Sequence, residues 1–252
     1  MDFDFSEDQV ALRDAVQKWV EKGYDFERRR AIVAAGGHSA EAYGELAGLG
    51  LAGLYVSDDH GGLGMGPVEG MVVLEELGRG IVLEPLGQTL IASGVLGAYA
   101  PAALQADWLP RIASGEALVV LAHQERGLRY QLGATHTRAM AQGDGWTVTG
   151  TKSLVPAGDQ ADAFLVPAQT PQGLGLFLVA RDQPGVSAQG YVTQDGSRAA
   201  EVRLDGATAQ LVSADGQTAL EHAVDIGIAN VCAEAVGVMD RTLALTVDYL
   251  NT

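Results

Sequence analysis

Apolar positions change their period twice along the chain, and the changes divide it into three. Over residues 1–115 they recur at threes and fours, the period of helices buried on one face. Ser6 reads as an N-cap with Gln9 as its capping-box partner, and Leu12, Val16 and Trp19 form the stripe that follows. Ser39 opens a second helix with Ala42, Tyr43, Leu46 and Leu49 inward and Gly50 as its stop. Pro67 fits the first turn of a third, Pro85 precedes a fourth that stops near Pro101, and a fifth carries Leu104, Trp108, Leu109 and Ile112. After Gly115 the pattern becomes short apolar runs between Gly, Pro, Asp and Gln: 117–121, 135–141, 146–149, 163–167, 175–179, 191–192 and 200–204. That spacing predicts a small antiparallel barrel or sandwich. Within it, Gly143-Asp144-Gly145 reads as a hairpin turn, Trp146 and Val148 alternate with two threonines, Gly150 breaks the strand, and Lys152 to Val155 resume it. From about Thr218 the helical period returns through Leu220, Val224, Ile228, Val231, Ala235 and Val238 to Leu250.

The reading is an α+β chain. An N-terminal all-α domain covers 1–115 and a middle antiparallel β-barrel or sandwich domain covers 116–216. The first long helix of a C-terminal helical bundle covers 217–252. A helix that long and apolar cannot bury its own face, so further helices or another subunit must cover it.

Composition narrows the function. Of the residues, 47% are hydrophobic and 19% charged, enough to bury a sizeable core. Sixteen basic against 32 acidic residues leave a formal charge of −16, which repels phosphate backbones and argues against nucleic-acid binding. Arg28-Arg29-Arg30 is the one basic run and reads as a solvated helix end. The acidic N-terminus lacks the basic start of a signal peptide, and no apolar stretch of about 18 residues escapes charge or glycine breaks. The expectation is a cytoplasmic protein with no membrane span. The single cysteine, Cys232, reads as a buried structural thiol. His38, His60, His123, His136 and His222 show no metal-ligand spacing, so no metal is expected.

Several local motifs resemble those of the acyl-CoA dehydrogenase family. Asp2-Phe3-Asp4-Phe5-Ser6-Glu7-Asp8-Gln9 resembles its opening. Leu49-Gly50-Leu51 through Gly61-Gly62-Leu63-Gly64 resembles its LGL and G-G-x-G stretch, with Ser57 where proline is usual. Glu75-Glu76-Leu77-Gly78, Leu109-Pro110 through Gly115-Glu116, and Gly143-Asp144-Gly145 through Gly150-Thr151-Lys152 resemble three later motifs. Val236-Gly237 and Asp248-Tyr249-Leu250 resemble positions of the third domain. Order and spacing over the whole chain carry the resemblance, more than any one motif.

The resemblance implies an FAD enzyme that removes the α proton of an acyl-CoA with a carboxylate and passes the β hydride to flavin N5, with electrons going on to an electron-transfer flavoprotein. It implies a homo-oligomer, or a heterotetramer with a second acyl-CoA dehydrogenase subunit. It also implies site residues: Gln124, Glu125, Leu154, Val155 and Pro156 at the flavin, and Tyr130 and Asp225 toward the substrate. Leu154 stands where a flavin-stacking tryptophan is usual. Pro156 stands where a threonine hydroxyl meets N5, and proline has no N–H to replace it. The position matching one family base is Gly227, and Ile228 replaces an arginine near CoA. No catalytic base is assigned, so the base is expected beyond these residues. The departures resemble a divergent bacterial subgroup that includes small subunits of pimeloyl-type and steroid side-chain dehydrogenases. The alternative is therefore a catalytically degenerate structural subunit of a hetero-oligomeric acyl-CoA dehydrogenase. Glu234 reads as a polar-face residue of the last helix, and His123 and His136 as strand-surface histidines.

Overall fold

The computed structural model describes residues 4–128, 130–143 and 145–251. Asp2, Phe3, Arg129, Asp144 and Thr252 lie outside the described residues, so the tip of the hairpin turn and the start of the opening motif do too. Six α-helices come first: α1 (Glu7–Gly23), α2 (Phe26–Ala34), α3 (Ala40–Gly48), α4 (Pro67–Gly80), α5 (Leu86–Tyr99) and α6 (Ala102–Ala113). The caps do what their residue types dictate. The Gln9 amide donates to Ser6 Oγ at 3.2 Å while the Ser6 amide donates to Gln9 Oε1 at 3.0 Å. Ser39 Oγ accepts from the Ala42 amide at 3.2 Å.

The short helix α2 does not show in the apolar period, because Ile32 is its one buried residue and four of its nine residues are charged. Its basic run is not simply solvated. Arg28 forks onto Glu45 of α3 with bonds of 2.8 and 2.9 Å. Arg29 donates to the carbonyls of Ile81 and Asp195, both at 2.8 Å, and so ties α2 to two distant turns. The Gly61–Gly64 turn is held by its own backbone: the Leu63 amide donates to the Gly53 carbonyl at 2.9 Å and the Gly64 amide to Val56 at 2.7 Å.

Seven strands follow: β1 (Val119–Leu121), β2 (Arg138–Gln142), β3 (Gly145–Pro156), β4 (Ala163–Thr170), β5 (Gly173–Ala180), β6 (Val186–Val192) and β7 (Arg198–Ser213). Pairing runs β4-β2-β3-β7-β5, and β5 pairs back onto β4, so five strands close a barrel. Closure removes the free edges. Phe164, Val166, Phe177, Val148, Val202 and Ala207 fill its core. The barrel is not wholly antiparallel: β1 and β2 each pair with β4 in parallel. Those strands are joined by crossovers longer than a hairpin, which short apolar runs do not reveal. Gly150 does not break the strand either, because β3 runs through it with irregular register on both sides. A methyl there would lie 2.3 Å from Thr137 Oγ1, so glycine serves a close approach.

The last element is α7 (Gly216–Leu250), 35 residues or about 52 Å, capped by Asp215, whose Oδ1 accepts from the Thr218 amide at 3.2 Å. Its first part packs on α4, α5 and β5 through Leu220, Ala223, Ile226 and Ala233. Beyond Gly237 every described residue is exposed, including Met239, Leu243, Leu245, Val247 and Leu250. By length and composition this helix alone among the described residues is apolar enough to cross a membrane, yet its first two turns and its middle belong to the protein core. Helices α4 and α7 touch backbone to backbone. A methyl at Gly78 would lie 2.2 Å from the Glu234 carbonyl oxygen, and one at Gly237 would lie 1.9 Å from the Glu75 carbonyl oxygen. These two glycines set how closely α7 approaches α4.

Candidate functional site

One cavity of about 640 Å³ lies where the three parts meet. Such junctions are the usual place for a small-molecule site. Its sheet wall comes from the end of β1 (Leu121), the following His123 and Gln124, and the end of β3 (Leu154, Pro156 and Ala157). The opposite wall is α7, and the turn from α4 into α5 closes one end. A register shift between Lys152 and Val155 bulges β3, and Leu154 there has a φ of 52°. The bulge turns Leu154 outward, 46% exposed, while Val155 beside it is buried in the barrel core. Re-aiming one side chain at a site is what strand bulges do.

Behind the sheet wall lies a buried ion pair. Lys152 Nζ donates to Glu125 Oε1 at 2.8 Å, to the Pro167 carbonyl at 2.9 Å and to Thr135 Oγ1 at 3.1 Å. Glu125 also accepts from Thr137 Oγ1 at 2.6 Å, from the His136 amide at 2.7 Å, and from the Thr135 hydroxyl. Burial works against the carboxylate, but the bonds from Lys152, Thr135 and Thr137 outweigh it and hold its pKa below the usual carboxylate value. Burial in turn lowers the ammonium of Lys152, opposed by Glu125. Glu125 is therefore turned into the barrel and is not among the cavity-lining residues. Its role is to position the segment that carries His123 and Gln124. The Ser153 amide, donating to the Gln124 carbonyl at 2.9 Å, fixes the same segment to β3.

The other assigned residues separate. Gln124, Leu154 and Pro156 meet at the cavity, and Val155 supports them from behind. Tyr130 is fully exposed and Asp225 lies on the exposed face of α7, and neither lines the cavity. Four residues that the pattern put elsewhere do line it: His38, His123, Cys232 and Glu234. Cys232 is exposed rather than buried. The helical period placed it on an apolar stripe, but that stripe faces open space at the cavity. Burial, with Lys152 adding to it, pushes His123 down to about 4, so the imidazole is neutral. Burial, with Asp195 adding to it, pushes the Glu234 carboxyl up to about 7.

A helical unit, a closed barrel and a long helix gathered around one cavity define an α–β–α fold. Residues 6–116 match the acyl-CoA dehydrogenase N-terminal domain and residues 121–207 its middle domain, and the chain belongs to the acyl-CoA dehydrogenase family. Among curated relatives it is 31% identical over 216 residues to acyl-CoA dehydrogenase FadE27 of Mycobacterium tuberculosis, covering 84% of this chain and 56% of that protein. Among solved structures it superposes on a Tcur3481–Tcur3483 steroid ACAD variant with a TM-score of 0.90 and 31% identity, covering 97% of this chain and 66% of that one. The ChsE4–ChsE5 complex of Mycobacterium tuberculosis gives a TM-score of 0.88 at 28% identity, covering 100% of this chain and 69% of that one. The chain thus spans about half the length of the first curated relative it matches.

Proposed function

We propose that this chain forms part of an FAD-dependent acyl-CoA dehydrogenase, with the ring of the flavin and the acyl group sharing the cavity. The observation that carries the reading is the bulged Leu154 facing α7 across a cavity large enough for both. The residues fit a flat, largely apolar ring with a polar edge. Leu154 and Pro156 would pack on its face, and Gln124 and neutral His123 would meet its edge. Bound FAD would supply the hydride acceptor for the β carbon. The chain's own residues would orient the thioester and exclude water from the apolar sheet wall. Gly227 has no side chain, so the proposal places the carboxylate that takes the α proton outside these residues. Tyr130 and Asp225, both outside the cavity, are left to the CoA part of the substrate. An electron-transfer flavoprotein would take the electrons.

A second reading makes the chain a non-catalytic subunit of a hetero-oligomer. It rests on Pro156 and Gly227, which hold neither a donor nor a base at the positions where the family resemblance expects them. Purifying the natural polypeptide, alone and co-expressed with a second acyl-CoA dehydrogenase subunit, separates the two. The first reading expects flavin absorbance from the protein alone, bleached by an acyl-CoA. The second expects flavin and bleaching with the partner only. A protein that takes up no flavin in either form contradicts both.

A further inference from the structure

The cavity's two ends differ in kind. Toward the sheet, α7 presents Ala223, which packs in the same apolar cluster as Leu121. Gly227, Asn230 and Glu234 follow at one-turn intervals, and from Ala223 to Glu234 the helix advances about 16 Å. At that far end the lining turns polar. Asn230 is 3% exposed, and its Nδ2 donates to the Gly87 carbonyl at 3.1 Å. Its Oδ1 has no hydrogen-bond partner among the described residues, and neither has the buried Oε1 of Gln88, one residue beyond Gly87. A methyl placed on Gly87 would lie 3.6 Å from Asn230 Nδ2 and 3.8 Å from Glu234 Oε1, so these two side chains border the same small space, and Gln88 lines the same cavity. Glu84, 5% exposed, lines the same end.

A buried acceptor without a donor costs free energy comparable to a hydrogen bond. Two such amide oxygens, lining one cavity with the carboxyl groups of Glu84 and Glu234, call for a ligand group that donates. A carboxylate terminus is disfavoured there by Glu84, Glu234 and the nearby Asp195. A methyl terminus would leave both amide oxygens unpaired. A hydroxyl donates to one acceptor and also accepts from a protonated neighbour.

Resting on the acyl-CoA reading above, we propose that the site takes an acyl group bearing a hydroxyl at its distal end, held by Asn230, Gln88 and Glu234. The helical end of the cavity is then a specificity pocket, and plain alkyl chains of the same length are poorer ligands. A site built to bond a hydroxyl discriminates against the analogue that lacks it, because the site's polar groups are then left unpaired.

The test is calorimetric binding to the full natural polypeptide, in complex with its partner subunit if it has one. The ligands are a series of straight-chain acyl-CoAs and their ω-hydroxy counterparts of equal length. At the chain length that reaches Asn230, the hydroxy thioester should bind about tenfold tighter, the worth of one net hydrogen bond. Gln88→Leu should narrow that ratio to about twofold. Asn230→Leu should do the same, and Gln88→Leu keeps the test independent of any folding defect from losing the Gly87 bond. Equal binding at every length overturns the hydroxyl inference and leaves the acyl-CoA reading standing. Binding of neither series overturns that reading, and the inference with it.

Discussion

Two carboxyl groups, Glu125 buried behind the sheet wall and Glu234 half-buried on the helical wall, are opposites. Glu125, behind the sheet wall, sits in a network where a cation, two hydroxyls and two amides supply donors to its oxygens, and its pKa is driven down. Glu234, on the helical wall, has no cation beside it, has Asp195 nearby, and is driven up to about 7. The first network is closed on itself, so it serves the fold. The second lines the cavity with Gln88 and Asn230, whose amide oxygens have no hydrogen-bond partner among the described residues. Burial alone does not distinguish a structural acid from a binding one; the count of satisfied lone pairs does.

The largest effect expected from breaking this contrast is at the closed network. Lys152→Met leaves Glu125 charged and buried without its cation and should cost about 3–5 kcal/mol, read as a lower denaturation midpoint. The double variant Lys152→Met/Glu125→Leu should recover most of that loss, because it is the unpaired charge that costs. A double variant as unstable as the single one would show that the pair contributes net stability.

A middle-sized effect is expected where the walls are held together. Gly78→Ala puts a methyl 2.2 Å from the Glu234 carbonyl and must push α7 away from α4. Overpacking of this kind costs about 1–3 kcal/mol. It should also weaken ligand binding at the helical end more than at the sheet end. Unchanged thermal stability would mean that the helices slide past each other freely.

The smallest effect is a pH slope. Glu234 has a folded pKa of about 7 against an ordinary 4.5, so the folded state binds more protons than the unfolded state between those values. Stability therefore falls as pH rises across that window. Glu84, also raised by burial, acts in the same direction, whereas Glu125, held low, gains its stabilising charge at lower pH. Glu234→Gln should flatten the slope between about pH 4.5 and 7 in denaturation curves and leave the acid limb, governed by Glu125, in place. A slope unaltered by that variant would assign it to other groups.

Much of this architecture was legible before any coordinates. Caps are local, so Ser6, Ser39 and Pro67 marked their helices from a few residues each. The helix α2 escapes because Ile32 is its one buried residue, too few to set a period, and its contacts through Arg28 and Arg29 join residues far apart in the chain. The same limit hid the parallel pairing of β1 and β2 with β4. At the site, Leu154 and Pro156 were found by resemblance, and the bulge that aims Leu154 at the cavity was not. Resemblance places Glu125 at the flavin as well; its side chain pairs with Lys152 and does not line the cavity. Cys232 and Glu234 were given bland roles from their helical stripe, since a periodic pattern states which face a residue lies on but not whether that face meets protein or a cavity.

What the sequence determined by itself is the part governed by short range: the alternation of periods that separates helical, strand and helical regions, the capping residues, the acidic surface, and the order of motifs that marks the family. What only the tertiary structure decided is the chemistry of the cavity. The Glu125 carboxylate takes donors 10 to 27 residues away, and the Gly87 carbonyl accepts from Asn230, 143 residues away. A hydrogen bond is met or left open by the fold as a whole, and at Asn230 and Gln88 the fold leaves an amide oxygen open at the cavity.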